Sequence, residues 1–209
     1  MTEDQKKKLE QKLWNIANEL RGKMNADEFR DYCLGFIFFK YLSEQMDTFA
    51  NAILAEDGID FTSIDESTEE GQEMLAAIHE ESIEELGYFL KPSELFSSIA
   101  QRGAHKTDDP DTQDDVIVDN FILDDLGKVL NSIERSTMGA ESEDDFDHLF
   151  EDLDLTSTKL GRTEEAKNKL IAKIMLHLDS IDFAISDSES DVLVARMVNL
   201  QTFYSTSSA

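Results

Sequence analysis

The chain has 209 residues, and 46 Asp and Glu against 19 Lys and Arg give a formal net charge of -27. Lys and Arg displacing condensed counterions supply the sequence-independent part of nucleic-acid affinity, so this composition excludes a protein that grips DNA or RNA by itself. The 40% hydrophobic fraction with 13 Phe suits a packed core, and no apolar run reaches the roughly 20 residues that span a bilayer.

The opening MTEDQKKKLEQ has no apolar stretch after its lysines, unlike a secretory signal. The lone Cys33 cannot form an intrachain disulfide, which suits a reducing, cytoplasmic setting. The acidity is local. Residues 1–45 hold eight basic and eight acidic side chains, residues 46–158 five and 31, and residues 159–209 six and seven. The plain reading of the middle is a solvated acidic surface, and the sharper alternative is an imitation of DNA phosphates.

Leu9, Leu13, Ile16 and Leu20 stand at helical spacing and predict an amphipathic helix over residues 5–20, stopped near Gly22. Asn25 and Asp27 offer caps for a second helix, with Glu28 three residues after Asn25 as in a capping box. Apolar residues from Phe29 to Leu42 cover most of that helix's circumference, so it should be buried on several sides, with Cys33 a small hydrophobe inside it. Residues 58–67 read as loop. Residues 68–85 read as an acidic helix with Met74, Leu75, Ile78 and Ile83 inward, interrupted by Gly87. Tyr88, Phe89 and Leu90 form a short extended segment before Lys91 and Pro92. Ser93 is the expected cap of a helix holding Leu95, Phe96 and Ile99, and residues 103–115 are expected loop. Residues 116–136 read as a helix with Phe121, Leu126, Val129, Leu130 and Ile133 in register, and the region of Phe146 as a short helix or ordered loop. Thr163 caps a last strong helix whose Leu170, Ile171, Ile174, Met175, Leu178 and Ile181 share a face, with Glu164 and Glu165 facing its positive end. The expected fold is mainly α: an orthogonal multi-helix domain of about eight helices with at most one or two short extended segments.

Catalytic patterns are scarce. No two of the nine glycines are separated by one residue, and there is no G-K-[ST], so no loop invites a dinucleotide or a phosphate. His79, His105, His148 and His177 lie far apart without ligand spacing, and the acidic stretches do not fit a calcium loop. The residues point to no catalytic, cofactor-binding or metal-ligating set.

Residues 13–44, LWNIANELRGKMNADEFRDYCLGFIFFKYLSE, resemble the N-terminal helical domain of the methyltransferase (modification) subunit of type I restriction-modification systems. The shared details are Leu13-Trp14-Asn15, Leu20-Arg21-Gly22, the polar cap, and the aromatic helix ending Phe38-Phe39-Lys40-Tyr41-Leu42. Tyr88-Phe89-Leu90 before Pro92 agrees too, as do Asp152-Leu153-Asp154-Leu155 leading to Lys159-Leu160-Gly161, and the helix over 170–181 running into Asp191-Val192-Leu193. The resemblance spans roughly residues 13–193.

It implies a subunit that, when whole, transfers a methyl group from S-adenosylmethionine to adenine N6 of a base flipped out of DNA. It also implies assembly with a specificity subunit, a restriction subunit and a second methyltransferase subunit, with DNA met only in the complex and no membrane. The family's cofactor loop and its Asn-Pro-Pro-Phe motif are missing: with prolines only at 92 and 110, adjacent prolines cannot occur. The expected organisation is therefore a helical domain over 1–193, non-catalytic by itself, and a divergent tail over 194–209 in place of the family's continuation. That continuation would lead into a Glu-Phe-Tyr-Thr-Pro element, of which Phe203-Tyr204 is the nearest remnant. Lys6, Lys7, Lys8, Lys12, Arg21 and Lys23 are the densest basic group for a DNA-backbone contact, with an ordinary solvated helix face as the alternative. Trp14 is expected to pack at an edge or interface. A DNA-mimic inhibitor of restriction or modification enzymes is the alternative function. A shortened or frameshifted gene product would explain the tail, and sequencing downstream should then reveal the glycine-rich loop and Asn-Pro-Pro-Phe in another frame; their absence from every frame rejects the frameshift.

Overall fold

Leu42, Met46, Ala50 and Leu54 repeat every fourth residue, and no Gly or Pro intervenes before Gly58, so the aromatic helix has no reason to stop at Leu42. A computed structural model describes residues 26–106, 116–118, 120–138, 143–146 and 149–181, and in it this helix, α1, runs over Ala26–Leu54. At about 1.5 Å per residue its 29 residues extend some 43 Å. Tyr32, Cys33, Phe36, Ile37, Phe39, Leu42, Met46, Ala50 and Leu54 are all buried, whereas Phe38 is 38% exposed. The helix predicted over residues 5–20 and the cap at Asn25 lie outside the described residues. Asp27 falls inside α1 rather than ahead of it.

After α1 come a 3-10 turn at Phe61–Ser63, helix α2 (Glu69–Glu85), a second 3-10 turn at Pro92–Glu94 and helix α3 (Phe96–Gly103). Strands β1 (Ala104–Lys106) and β2 (Val116–Val118) follow, then helices α4 (Leu123–Ser136), α5 (Glu143–Phe146) and α6 (Glu164–Asp179). The two strands pair antiparallel, with His105 opposite Ile117. The described residues are thus mainly helical with two short strands, as expected. The chain divides into two compact units: Met1–Phe38, Ala100–Leu123 and Asp152–Ala209 in one, Phe39–Ile99 and Asp124–Glu151 in the other.

In the first unit the expected loop 103–115 and the expected start of a helix at Val116 are both corrected. Residues 104–106 and 116–118 form the ribbon, where the β-branched run Val116, Ile117, Val118 fits a pleated strand better than a helix. The helix begins only at Leu123, and Phe121, expected in its inward register, is 47% exposed. What ends the strand and starts the helix is tertiary. Buried Asn168 on α6 accepts from the amides of Ile122 (2.8 Å) and Leu123 (3.2 Å) through Oδ1, and donates through Nδ2 to the Asn120 carbonyl at 3.0 Å. Asn120 in turn donates to the Arg102 carbonyl at 2.6 Å. One amide side chain thereby satisfies three backbone groups that neither helix nor ribbon could. Elsewhere in the unit, Tyr32 donates its hydroxyl to the Asp154 carbonyl, and one turn along α1 the missing side chain of Gly35 leaves room for Leu153.

In the second unit Thr68 caps α2 by accepting from the Gly71 amide at 3.0 Å. Leu75 and Ile78 face inward as expected, while Met74 and Ile83 are half-buried. The chain then turns through Gly87 at φ 83, a left-handed conformation that favours glycine, and Tyr88, Phe89 and Leu90 follow buried and without regular structure. Their polar atoms are taken up by neighbours: Tyr88 donates its hydroxyl to the Leu42 carbonyl at 2.8 Å, and the Phe89 amide donates to Ser136 Oγ at 3.2 Å.

Ser93 does not cap the following helix. Its amide donates to Glu66 at 2.7 Å inside the 3-10 turn, and α3 starts three residues later. The cap comes from α1, where buried Ser43 accepts the amide of Phe96 at 3.0 Å. Phe96 and Phe39 meet with ring centroids 5.4 Å apart. Phe146, on the single turn α5, lies 5.4 Å from the Tyr88 ring.

Two substitutions test these contacts by chemical or thermal denaturation. Ser43→Ala removes the buried acceptor of the Phe96 amide and should cost about 1–2 kcal/mol. Gly71→Ala would gain about 1 kcal/mol in an open helix, but a Cβ there would sit 2.0 Å from the Asp65 carbonyl oxygen, so a net loss of about 1–3 kcal/mol is expected.

Candidate functional site

The residues expected to meet a DNA backbone, Lys6, Lys7, Lys8, Lys12, Arg21 and Lys23, lie outside the described residues, as does Trp14. The described polar clusters are each built to hold the chain's own segments. Buried Lys40 pairs with Glu44 one turn along α1, and its Nζ stands 5.9 Å from the Phe96 ring centre, a cation over an aromatic face. Buried Lys167 pairs with Glu164 at 2.8 Å across the first turn of α6. Its charge also reaches Asp154, whose carboxyl is held below the ordinary carboxylate range, first by the Thr156 hydroxyl at 2.6 Å and then by that residue's amide and Lys167.

That bond belongs to a pattern that motif spacing did not bring out. Asp60, Asp65 and Asp154 each accept, through one carboxylate oxygen, both the amide and the hydroxyl of the Thr or Ser two residues on. Its signal is Asp-x-[Ser/Thr] at 60–62, 65–67 and 154–156, the signature of a side chain closing a turn on its own backbone. At Asp65 the hydroxyl and amide of Ser67 hold the carboxyl low. Asp47 goes the other way, raised by partial burial and by the charge of Asp60, with the Asn51 amide opposing.

The described histidines do not converge. His79 is exposed on α2 with its ring 4.8 Å from that of Phe89, His105 is exposed on β1, His177 is buried on α6, and His148 lies outside the described residues. Among the described residues no three His, Cys, Asp or Glu side chains gather as a metal site. Cys33 is buried in α1, and burial pushes its thiol up to about 12, so essentially no thiolate is present at neutral pH. Among the described residues such an arrangement holds helices and turns in place.

The described residues are thus mainly helical, with polar groups that serve their own packing. The HsdM N-terminal domain family matches residues 9–178. The chain belongs to that family and is the N-terminal domain of a type I restriction-modification methyltransferase subunit. It is 27% identical over 181 residues to the type I restriction enzyme MpnII methylase subunit of Mycoplasma pneumoniae, covering 86% of this chain and 31% of that one. The crystal structure of the type I restriction-modification system methyltransferase subunit from Streptococcus thermophilus superposes with a TM-score of 0.63 at 29% identity. It covers 93% of this chain and 38% of that protein, so the chain spans about a third of the length of these relatives. Among the described residues no helix is long and apolar enough to cross a membrane.

The state of Cys33 is directly testable. A thiol-specific reagent at pH 8 should leave the native chain unlabelled and label one site after denaturation; rapid labelling of the native chain rejects the buried, protonated thiol.

Proposed function

We propose that this domain is a non-catalytic support of an adenine-N6 DNA methyltransferase: it assembles with the specificity subunit and helps the complex close around DNA in the cytoplasm. The observation that carries the reading is the family match over residues 9–178, in a chain that lacks both adjacent prolines and a G-x-G turn. S-adenosylmethionine belongs to the rest of such a subunit, because this chain has no glycine-rich loop to cradle it. The restriction subunit and the second methyltransferase subunit are partners of the same assembly.

The net charge of -27 agrees with this division of labour. An accessory piece can be acidic if the gripping of phosphates is distributed over other parts of a complex. The DNA-mimic alternative finds no support, since both relatives are methyltransferase subunits.

Two measurements test the reading. The chain alone, given S-adenosylmethionine and duplex DNA, should transfer no methyl group. Deleting the domain from the full methyltransferase subunit should leave S-adenosylmethionine binding intact and weaken both assembly with the specificity subunit and DNA affinity of the complex. Methyl transfer by the chain alone, or unchanged assembly and affinity after deletion, overturns the proposal.

A further inference from the structure

The exposed side of α6 runs against the charge of the rest of the molecule. Residues 155–178 carry five basic and two acidic side chains, in a chain with 46 acidic residues overall. Helical spacing then sorts them. Within α6, Ala166, Lys169 and Lys173 follow at intervals of three and four, which is one stripe of the helix, and Arg162 stands ahead of it, just before the Thr163 cap. Arg162, Ala166 and Lys169 are exposed and Lys173 is half-buried, while the opposite side, from Lys167 through Leu170, Ile171, Ile174, Met175 and Leu178, is buried.

The acidic residues of the segment are kept off this stripe. Glu164 points to the other side of the helix, where it pairs with buried Lys167 at 2.8 Å, and Glu165 only flanks the stripe. Ala166, between the cations, adds neither bulk nor charge. The result is two positive charges about 6 Å apart along the axis of α6, with that of Arg162 just ahead of its first turn. On a chain at -27 a polyanion is repelled almost everywhere, so a cationic stripe is where one could approach.

From this placement we infer that Arg162, Lys169 and Lys173 form a contact for the phosphate backbone of duplex DNA in the assembled methyltransferase. The inference rests on the proposed role of the domain in closing the complex around DNA, and names a surface for it separate from the N-terminal lysines. A contact of this kind carries no base information, because attraction to phosphates fixes position on the duplex and not sequence.

The test uses the full methyltransferase subunit assembled with its specificity subunit, carrying Arg162→Gln and Lys169→Gln. Both side chains are exposed, so the melting temperature should not move. The slope of log Kobs against log salt should flatten by about two, roughly 0.9 for each phosphate that is no longer neutralised, equally on target and non-target duplexes. An unchanged slope overturns the inference, as does impaired assembly of the subunits without DNA, which would make the stripe a protein contact. Deleting the whole domain separates the two levels. If deletion flattens the slope and the double variant does not, the stripe is wrong and the domain's role stands; if deletion changes nothing, both fall.

Discussion

Helix α1 is apolar around most of its circumference from Phe29 to Leu42, and a helix of that kind is stable only when enclosed on several sides. Its enclosure brings a second requirement, because the segments that cover it arrive with unpaired backbone groups. Side chains and carbonyls of α1 meet that need. Ser43 accepts the Phe96 amide where α3 begins, the Leu42 carbonyl accepts the Tyr88 hydroxyl, and Tyr32 donates to the Asp154 carbonyl beside the space left by Gly35. Each bond is modest, about 1 kcal/mol net, but leaving such a buried group unpaired costs about 1–3 kcal/mol. Within each unit, the stretch of the aromatic helix that belongs to it therefore acts as both apolar core and register mark for irregular segments.

The acidity also has structure. Of the 46 acidic side chains, 24 lie in the unit formed by Phe39–Ile99 and Asp124–Glu151, which has only four Lys and Arg. A net charge this large keeps a protein soluble at some cost in self-repulsion. Part of it does local work: Asp60, Asp65 and Asp154 close turns on the following Thr or Ser, and Glu164 neutralises a buried lysine. The solvated-surface reading is thus right for most of α2, where seven glutamates are exposed, and incomplete for the loops. The same sorting keeps acidic side chains off the exposed stripe of α6.

The helices with strong local signals are legible in the order of residues alone. Thr163 caps where its hydroxyl and the following glutamates place a helix start, and the buried faces of α1 and α6 follow apolar spacing. The misread points share a cause. At Ser93 a good local capping residue lost to Ser43, more than forty positions away, and at Val116 a helical apolar pattern lost to ribbon pairing with residues 104–106. Apolar periodicity over a few residues does not separate a short buried strand from a helix. The expected DNA-contact lysines rested on density of charge along the chain, whereas the α6 stripe, with fewer cations, emerges only when burial shows which of them share an open face.

By itself the sequence determined the mainly helical class, the central place of the aromatic helix, the local acidity, and the resemblance to type I methyltransferase N-terminal domains. It could do so because these depend on residue type, on spacing within one element, or on a motif read in order. Only the tertiary structure decided where α3 and α4 begin, that a ribbon separates them, and which charges lie on one side of α6. Those outcomes depend on which distant group satisfies a buried amide, as Asn168 does for Ile122 and Leu123, and no local pattern records the partner.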